Sequence, residues 1–110
     1  MKGRVEVDAG ICGFKADIAA TCEDGQFVTL GITSGCEKVA ALAKKLTEAG
    51  AVDAFQEISP VGESVILSAA RETHKGCCAA CVIPIGVFKA MQVAAGLALP
   101  QDAAIRIARE

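Results

Sequence analysis

Residues 14–32, FKADIAATCEDGQFVTLGI, decide the fold. Phe14, Ala16, Ile18 and Ala20 recur at alternate positions, as do Val28, Leu30 and Ile32, and a period of two belongs to strands with one wet face. Between the runs, Glu23, Asp24 and Gly25 form a three-residue connection whose glycine supplies the left-handed position after a type I turn. The reading is a hairpin. With Cys22 opposite Gln26, opposed residue numbers sum to 48, which pairs Ala16 with Ile32, Ile18 with Leu30 and Ala20 with Val28. Both apolar sets then share one face, and burial selects this register.

Outward from the hairpin, Lys2 to Ala9 alternates Val5 and Val7 with Arg4, Glu6 and Asp8, the mark of a first strand. On the other side, Ser34-Gly35-Cys36-Glu37 has the form of a capping box, and Val39, Leu42, Ala43 and Leu46 follow at helical spacing. This helix runs to about Glu48, with Gly50 as its stop. Residues 51–60 read as a connector. Ser59-Pro60 opens a second helix with Val65, Ile66, Ala69 and Ala70 on one stripe, ended by Gly76. A third helix spans about Cys81 to Ala95, with Pro84 in its first turn and Val87, Phe88, Met91, Ala94 and Ala95 buried. The tail from Ala103 to Glu110 alternates Ile105 and Ile107 with Arg106, with Arg109 beyond them, and reads as a closing strand. Strands followed by helices predict one α+β domain over residues 1–110: an antiparallel sheet of three to four strands, about three helices on one face.

The 110 residues are 53% hydrophobic and 22% charged, enough for one ordinary core and too apolar for disorder. A net charge of -2 and a pI near 5.4 leave no basic surplus, so no nucleic acid and no anionic membrane surface is expected as a partner. The charged start MKGRVEVD differs from a signal peptide, and no apolar run reaches the roughly 18 residues of a membrane span, so the expected compartment is the cytoplasm. In that reducing setting six cysteines read as thiols, metal ligands or catalytic groups before structural disulfides. A homodimer burying part of an apolar face also suits the low charge content.

Carried two residues past the hairpin's ends, the register sum of 48 sets Cys12 opposite Cys36, roughly 5 Å apart at Cβ if pairing extends that far. Cys36 falls in the first turn of its helix, where unsatisfied amides stabilise a thiolate. The run His74-Lys75-Gly76-Cys77-Cys78-Ala79-Ala80-Cys81 holds three more thiols and the chain's single histidine. Cys78-x-x-Cys81 can converge on one ion, and Cys81 shares the helix-start position of Cys36. The predicted ligands are therefore Cys12, Cys36, Cys77, Cys78 and Cys81, and soft sulfur donors select zinc or an iron–sulfur cluster. Cys22 shares the core-facing parity of Ile18 and reads as a small buried hydrophobe, while His74 reads as a helix-end residue ahead of a ligand, its participation left open. No phosphate loop, Ser-His-Asp set or paired-carboxylate arrangement is present in the chain.

The order Cys12-Gly13, strand, Asp24-Gly25, strand, Gly35-Cys36, helix, His74, cysteine group, amphipathic helix resembles the NifU/IscU-type iron–sulfur cluster scaffolds over roughly residues 10–92. The resemblance implies a cluster or zinc held by Cys12, Cys36 and one of Cys77, Cys78 or Cys81, with a metal or cluster donor or acceptor protein as partner. The chain departs from that pattern at Phe14, in the separation of His74 from its cysteine, and in lacking a Leu-Pro-Pro motif. It is also similar to small uncharacterised proteins of anaerobic archaea and bacteria that carry Cys-x-x-Pro-x-x-x-x-Lys-Ala and Gly-Leu-Ala-Leu-Pro, here Cys81 to Ala90 and Gly96 to Pro100.

Three readings follow. The first is a carrier, scaffold or sensor of zinc or a cluster, rather than an enzyme. The second is a thiol–disulfide redox protein using Cys78 and Cys81. The third is a dimeric interaction module whose thiols only pack.

Overall fold

The computed structural model describes residues 1–77 and 79–110; the prediction for Cys78 lies outside the described residues. Strands β1 (Lys2–Asp8), β2 (Lys15–Cys22), β3 (Phe27–Ser34) and β4 (Val52–Asp53) form one antiparallel sheet in the order β1-β2-β3-β4. Helices α1 (Glu37–Ala49), α3 (Val65–Thr73) and α4 (Ile83–Ala94) pack against it, and α2 (Ala54–Glu57) is a single turn after β4. The fold is α+β, as the sequence predicts. Alternation explains why one face of the sheet is covered: Ala16, Ile18, Ala20 and Cys22 are buried on β2, whereas Lys15, Asp17 and Ala19 are exposed. Ile18, Val28, Leu42, Ile66, Val87 and Met91 meet in the main core. Cys22 is buried there too, as its parity predicts.

The hairpin register differs from the predicted one. Ala16 pairs with Ser34, Ile18 with Ile32 and Ala20 with Leu30, so opposed numbers sum to 50 rather than 48. A shift of two residues preserves side-chain parity, so burial could not discriminate between the two registers. The turn decides instead. One oxygen of the Asp24 carboxylate accepts from the amides of both Gln26 and Phe27 at 2.9 Å, which lengthens the connection until Cys22 faces Val28. Gly25, at φ 77°, supplies the left-handed residue. Cys12 is therefore not aligned with Cys36; continued outward, the observed ladder runs from Ala16–Ser34 toward Phe14 and Cys36.

Those two amides hold the Asp24 carboxyl below the usual carboxylate value. A depressed folded value contributes stability that is present above the ordinary carboxylate pKa of about 4 and is lost as pH falls through the lower folded value. Asp24→Asn should accordingly flatten the acid limb of a melting-temperature-against-pH profile; superimposable profiles for the two proteins would show that this turn does not couple protonation to folding.

Helix boundaries also move. The expected capping box at Ser34 does not form: β3 runs through Ser34, whose hydroxyl donates to the Lys15 carbonyl at 2.6 Å and accepts from the Cys36 amide. The sheet ladder thus competes successfully for Ser34, and α1 begins later with Cys36 as its N-cap residue. Gly50 stops it at φ 75°, as predicted. The second long helix starts from Ser64, not Ser59-Pro60, because Ser64 accepts from the Leu67 amide and receives further support from Glu57. Helix α4 starts at Ile83 with Pro84 in its first turn, which leaves Cys81 just outside. The predicted closing strand is absent. Residues 100–110 form neither strand nor helix and are exposed throughout.

Candidate metal centre

The sheet end at Asp8, Lys15 and Ser34 gathers three loops. The first, residues 9–14, is a tight turn closed by the Gly13 amide on the Gly10 carbonyl and the Ala9 amide on the Phe14 carbonyl. Cys12 stands exposed on it. The second carries Gly35 and Cys36, and the Phe14 ring lies 3.8 Å from where a Cβ at Gly35 would stand. The third links α3 to α4 and contains His74, Cys77 and Cys81. Lys38, in the first turn of α1, donates to the Lys75 carbonyl and so ties the third loop to the helix start beside Cys36.

Cys36 and Cys81 are each half-buried, and both pack against one small apolar cluster of Ala16, Val39 and Ile83. Val7, Ala9 and Ile32 complete its rim. Folding therefore brings together two thiol-bearing residues from distant parts of the chain. Cys77 is exposed, its amide bonded to the His74 carbonyl at 2.9 Å. Among the described residues no three His, Cys, Asp or Glu side chains stand close enough to hold one metal ion. A full ligand set would need a donor beyond that grouping.

The helix termini differ in a way the sequence did not disclose. Helices α2 and α3 are capped by side chains, Asp53 onto the Phe55 amide and Ser64 onto the Leu67 amide. Among the described residues, helices α1 and α4 receive no side-chain cap bond, and they are the two whose starts adjoin Cys36 and Cys81. Leading amides of a helix are donors without intrahelical partners, and the helix dipole adds positive potential there. Anionic sulfur is the sort of group such termini stabilise.

His74 ends α3, as expected of a helix-end residue, its amide on the Ala70 carbonyl. Its Nδ1 lies 3.2 Å from the Thr73 hydroxyl, whereas its Nε2 is buried with no hydrogen-bond partner among the described residues. A buried ring nitrogen without a partner is a potential metal donor. The sequence ranked His74 as a helix-end residue ahead of a ligand and left its participation open; the signal for a donor was its position three residues before Cys77.

No helix among the described residues is long and apolar enough to cross a membrane. A model of a family of unknown function, DUF6951, matches residues 3–107. Comparison with the curated proteins and with the solved structures gives no match.

Proposed function

From the premise that the chain belongs to the DUF6951 family, whose function is unknown, we propose that it binds zinc or an iron–sulfur cluster through cysteine thiolates, as a carrier, scaffold or sensor. The observation that supports this most is the convergence of Cys36 and Cys81 on one apolar cluster, each beside a helix start that lacks a side-chain cap. Thiolate is the form in which cysteine ligates soft cations. Cys77, Cys78, Cys12 and the Nε2 of His74 are the donors from which the set would be completed. The resemblance to NifU/IscU-type scaffolds points the same way, with a donor or acceptor protein and a cytoplasmic setting as part of the proposal.

Protein purified without oxygen should carry stoichiometric zinc or iron by elemental analysis, with sulfide and visible absorption if the iron is in a cluster. Cys36→Ser and Cys81→Ser should each weaken metal retention about 100-fold, the scale of losing a ligand or more than one of its supports. Cys22→Ser should retain the metal. A chain that holds no metal and takes up neither zinc nor ferrous iron with sulfide would end this reading, as would full retention in the Cys36→Ser, Cys81→Ser double variant.

A further inference from the structure

Strand β1 is the outermost strand of the sheet, with β2 its one neighbour. The Cys22 amide donates to the Met1 carbonyl at one end, and the Ala9 amide donates to the Phe14 carbonyl at the other. Odd-numbered positions therefore turn their backbone groups toward β2. By antiparallel alternation, the N–H and C=O groups of Lys2, Arg4, Glu6 and Asp8 point away from the sheet. This edge carries no proline and is seven residues long, which makes it a template for another strand.

The same molecule presents a segment with strand character and no strand to pair with. Ile105 and Ile107 are 69% and 92% exposed, on alternate positions of a tail outside any ladder. The family match continues to residue 107, so this Ile-Arg-Ile stretch lies within what the family shares.

We propose that residues 104–110 of one copy add as an antiparallel fifth strand to the β1 edge of a second copy, reciprocally, in a two-fold dimer. Setting Arg106 opposite Glu6 places Glu110 opposite Lys2, with all four on the open face of the sheet. It also sets Ile105 opposite Val7 and Ile107 opposite Val5 on the helix-covered face, where those valines pack against the core. One register thus satisfies charge at residues 106 and 110 and burial at residues 105 and 107, with Arg109 falling opposite Gly3 near the Lys2 end.

Within its own chain the tail starts from the wrong end of this edge. Helix α4 finishes beside Gly3, and a Cβ at Gly96 would stand 3.6 Å from the Met1 methyl. The tail consequently departs from the Lys2 end, whereas antiparallel entry is at the Asp8 end, about 20 Å away at roughly 3.3 Å per residue. Residues 97–103 would have to run back over that distance almost fully extended before residues 104–110 could enter. A symmetry-related copy supplies the strand from the correct end.

Light scattering behind size exclusion should give the full chain a mass twice 11.2 kDa. A chain ending at Gln101 should elute as a folded monomer by the same measurement and circular dichroism. Glu6→Arg and Arg106→Glu should each raise the dimer dissociation constant roughly tenfold, because the pair occurs twice in the dimer, and combining them should restore it. A full chain that remains monomeric up to its solubility limit, a truncated chain that dimerises equally well, or a combined variant no tighter than the single ones would overturn the proposal.

Discussion

Gly3→Ala should lower the melting temperature by roughly 4–12 °C, from a cost of about 1–3 kcal/mol at about 4 °C per kcal/mol for a domain of this size. The position is buried under α4. A Cβ there would stand 2.6 Å from the Ala90 carbonyl oxygen, 3.1 Å from the Ala94 amide nitrogen and 3.3 Å from the Val93 Cβ. Two of these atoms belong to helix backbone, which has no rotamer to change, so relief requires α4 to lift away from β1. The lift also separates Ala90 and Ala94 from the core they help close. Gly86→Ala tests the same interface from the helix side and should cost less, about 1 kcal/mol. Its Cβ would meet the ends of side chains, Val7 Cγ2 at 2.5 Å and Ile18 Cδ1 at 2.9 Å, which can turn aside in part. Gly31→Ala is the control. Nothing lies within 4 Å of that site, which pairs with Ala19 on the exposed face, so the change should be neutral or stabilise by a few tenths of a kcal/mol. Equal melting temperatures for the Gly3 and Gly31 variants would mean that α4 does not sit on β1 as closely as these distances require.

That contact also shows which parts of the fold were legible. Alternation in β1, β2 and β3 needs only a parity, and parity survives any error of two residues. The apolar stripes of α1, α3 and α4 were legible for the same reason, since Leu42, Ile66 and Val87 are each fully buried. What failed depended on competition between nearby groups. Ser34 could cap a helix or extend a strand, and the Lys15 carbonyl opposite it decided the matter. Asp24 read as the centre of a short turn, but its carboxylate takes two amides and lengthens the connection. The convergence of Cys36 and Cys81 rested on both adjoining helix starts, and the small shifts in those starts left it intact. The direct opposition of Cys12 and Cys36 rested on the register and was lost with it. The tail was given strand character from its alternation, yet alternation names no partner strand, and residues 100–110 join no ladder.

Glu57→Ala should be the most damaging single side-chain removal outside the apolar core, at about 3 kcal/mol. Glu57 is 2% exposed and sits at the end of the one-turn helix α2. One of its oxygens accepts from the Val65 amide at 2.6 Å and the Ile66 amide at 3.4 Å, and the other accepts from the Ser64 hydroxyl. The Ser64 oxygen in turn accepts from the Leu67 amide at 3.1 Å. Helix α3 is thus capped by two side chains in series, one of them from a different helix. Removing the carboxylate leaves buried donors unmet, each costing about 1–3 kcal/mol in part offset by any water that enters. Glu57→Gln keeps one acceptor oxygen and should cost about half as much, and Ser64→Ala about 1 kcal/mol. Because the two side chains share one network, the double change to alanine should cost less than the two single changes added, by at least about 0.5 kcal/mol. Helix α3 delivers His74 and the loop that Lys38 fastens beside Cys36, so amide exchange in Glu57→Ala should accelerate first in α3 and that loop, with α1 protected until global unfolding. A uniform acceleration across α1 and α3 would instead make this cap part of the global core, and a cost below about 0.5 kcal/mol would show that solvent replaces the carboxylate without loss.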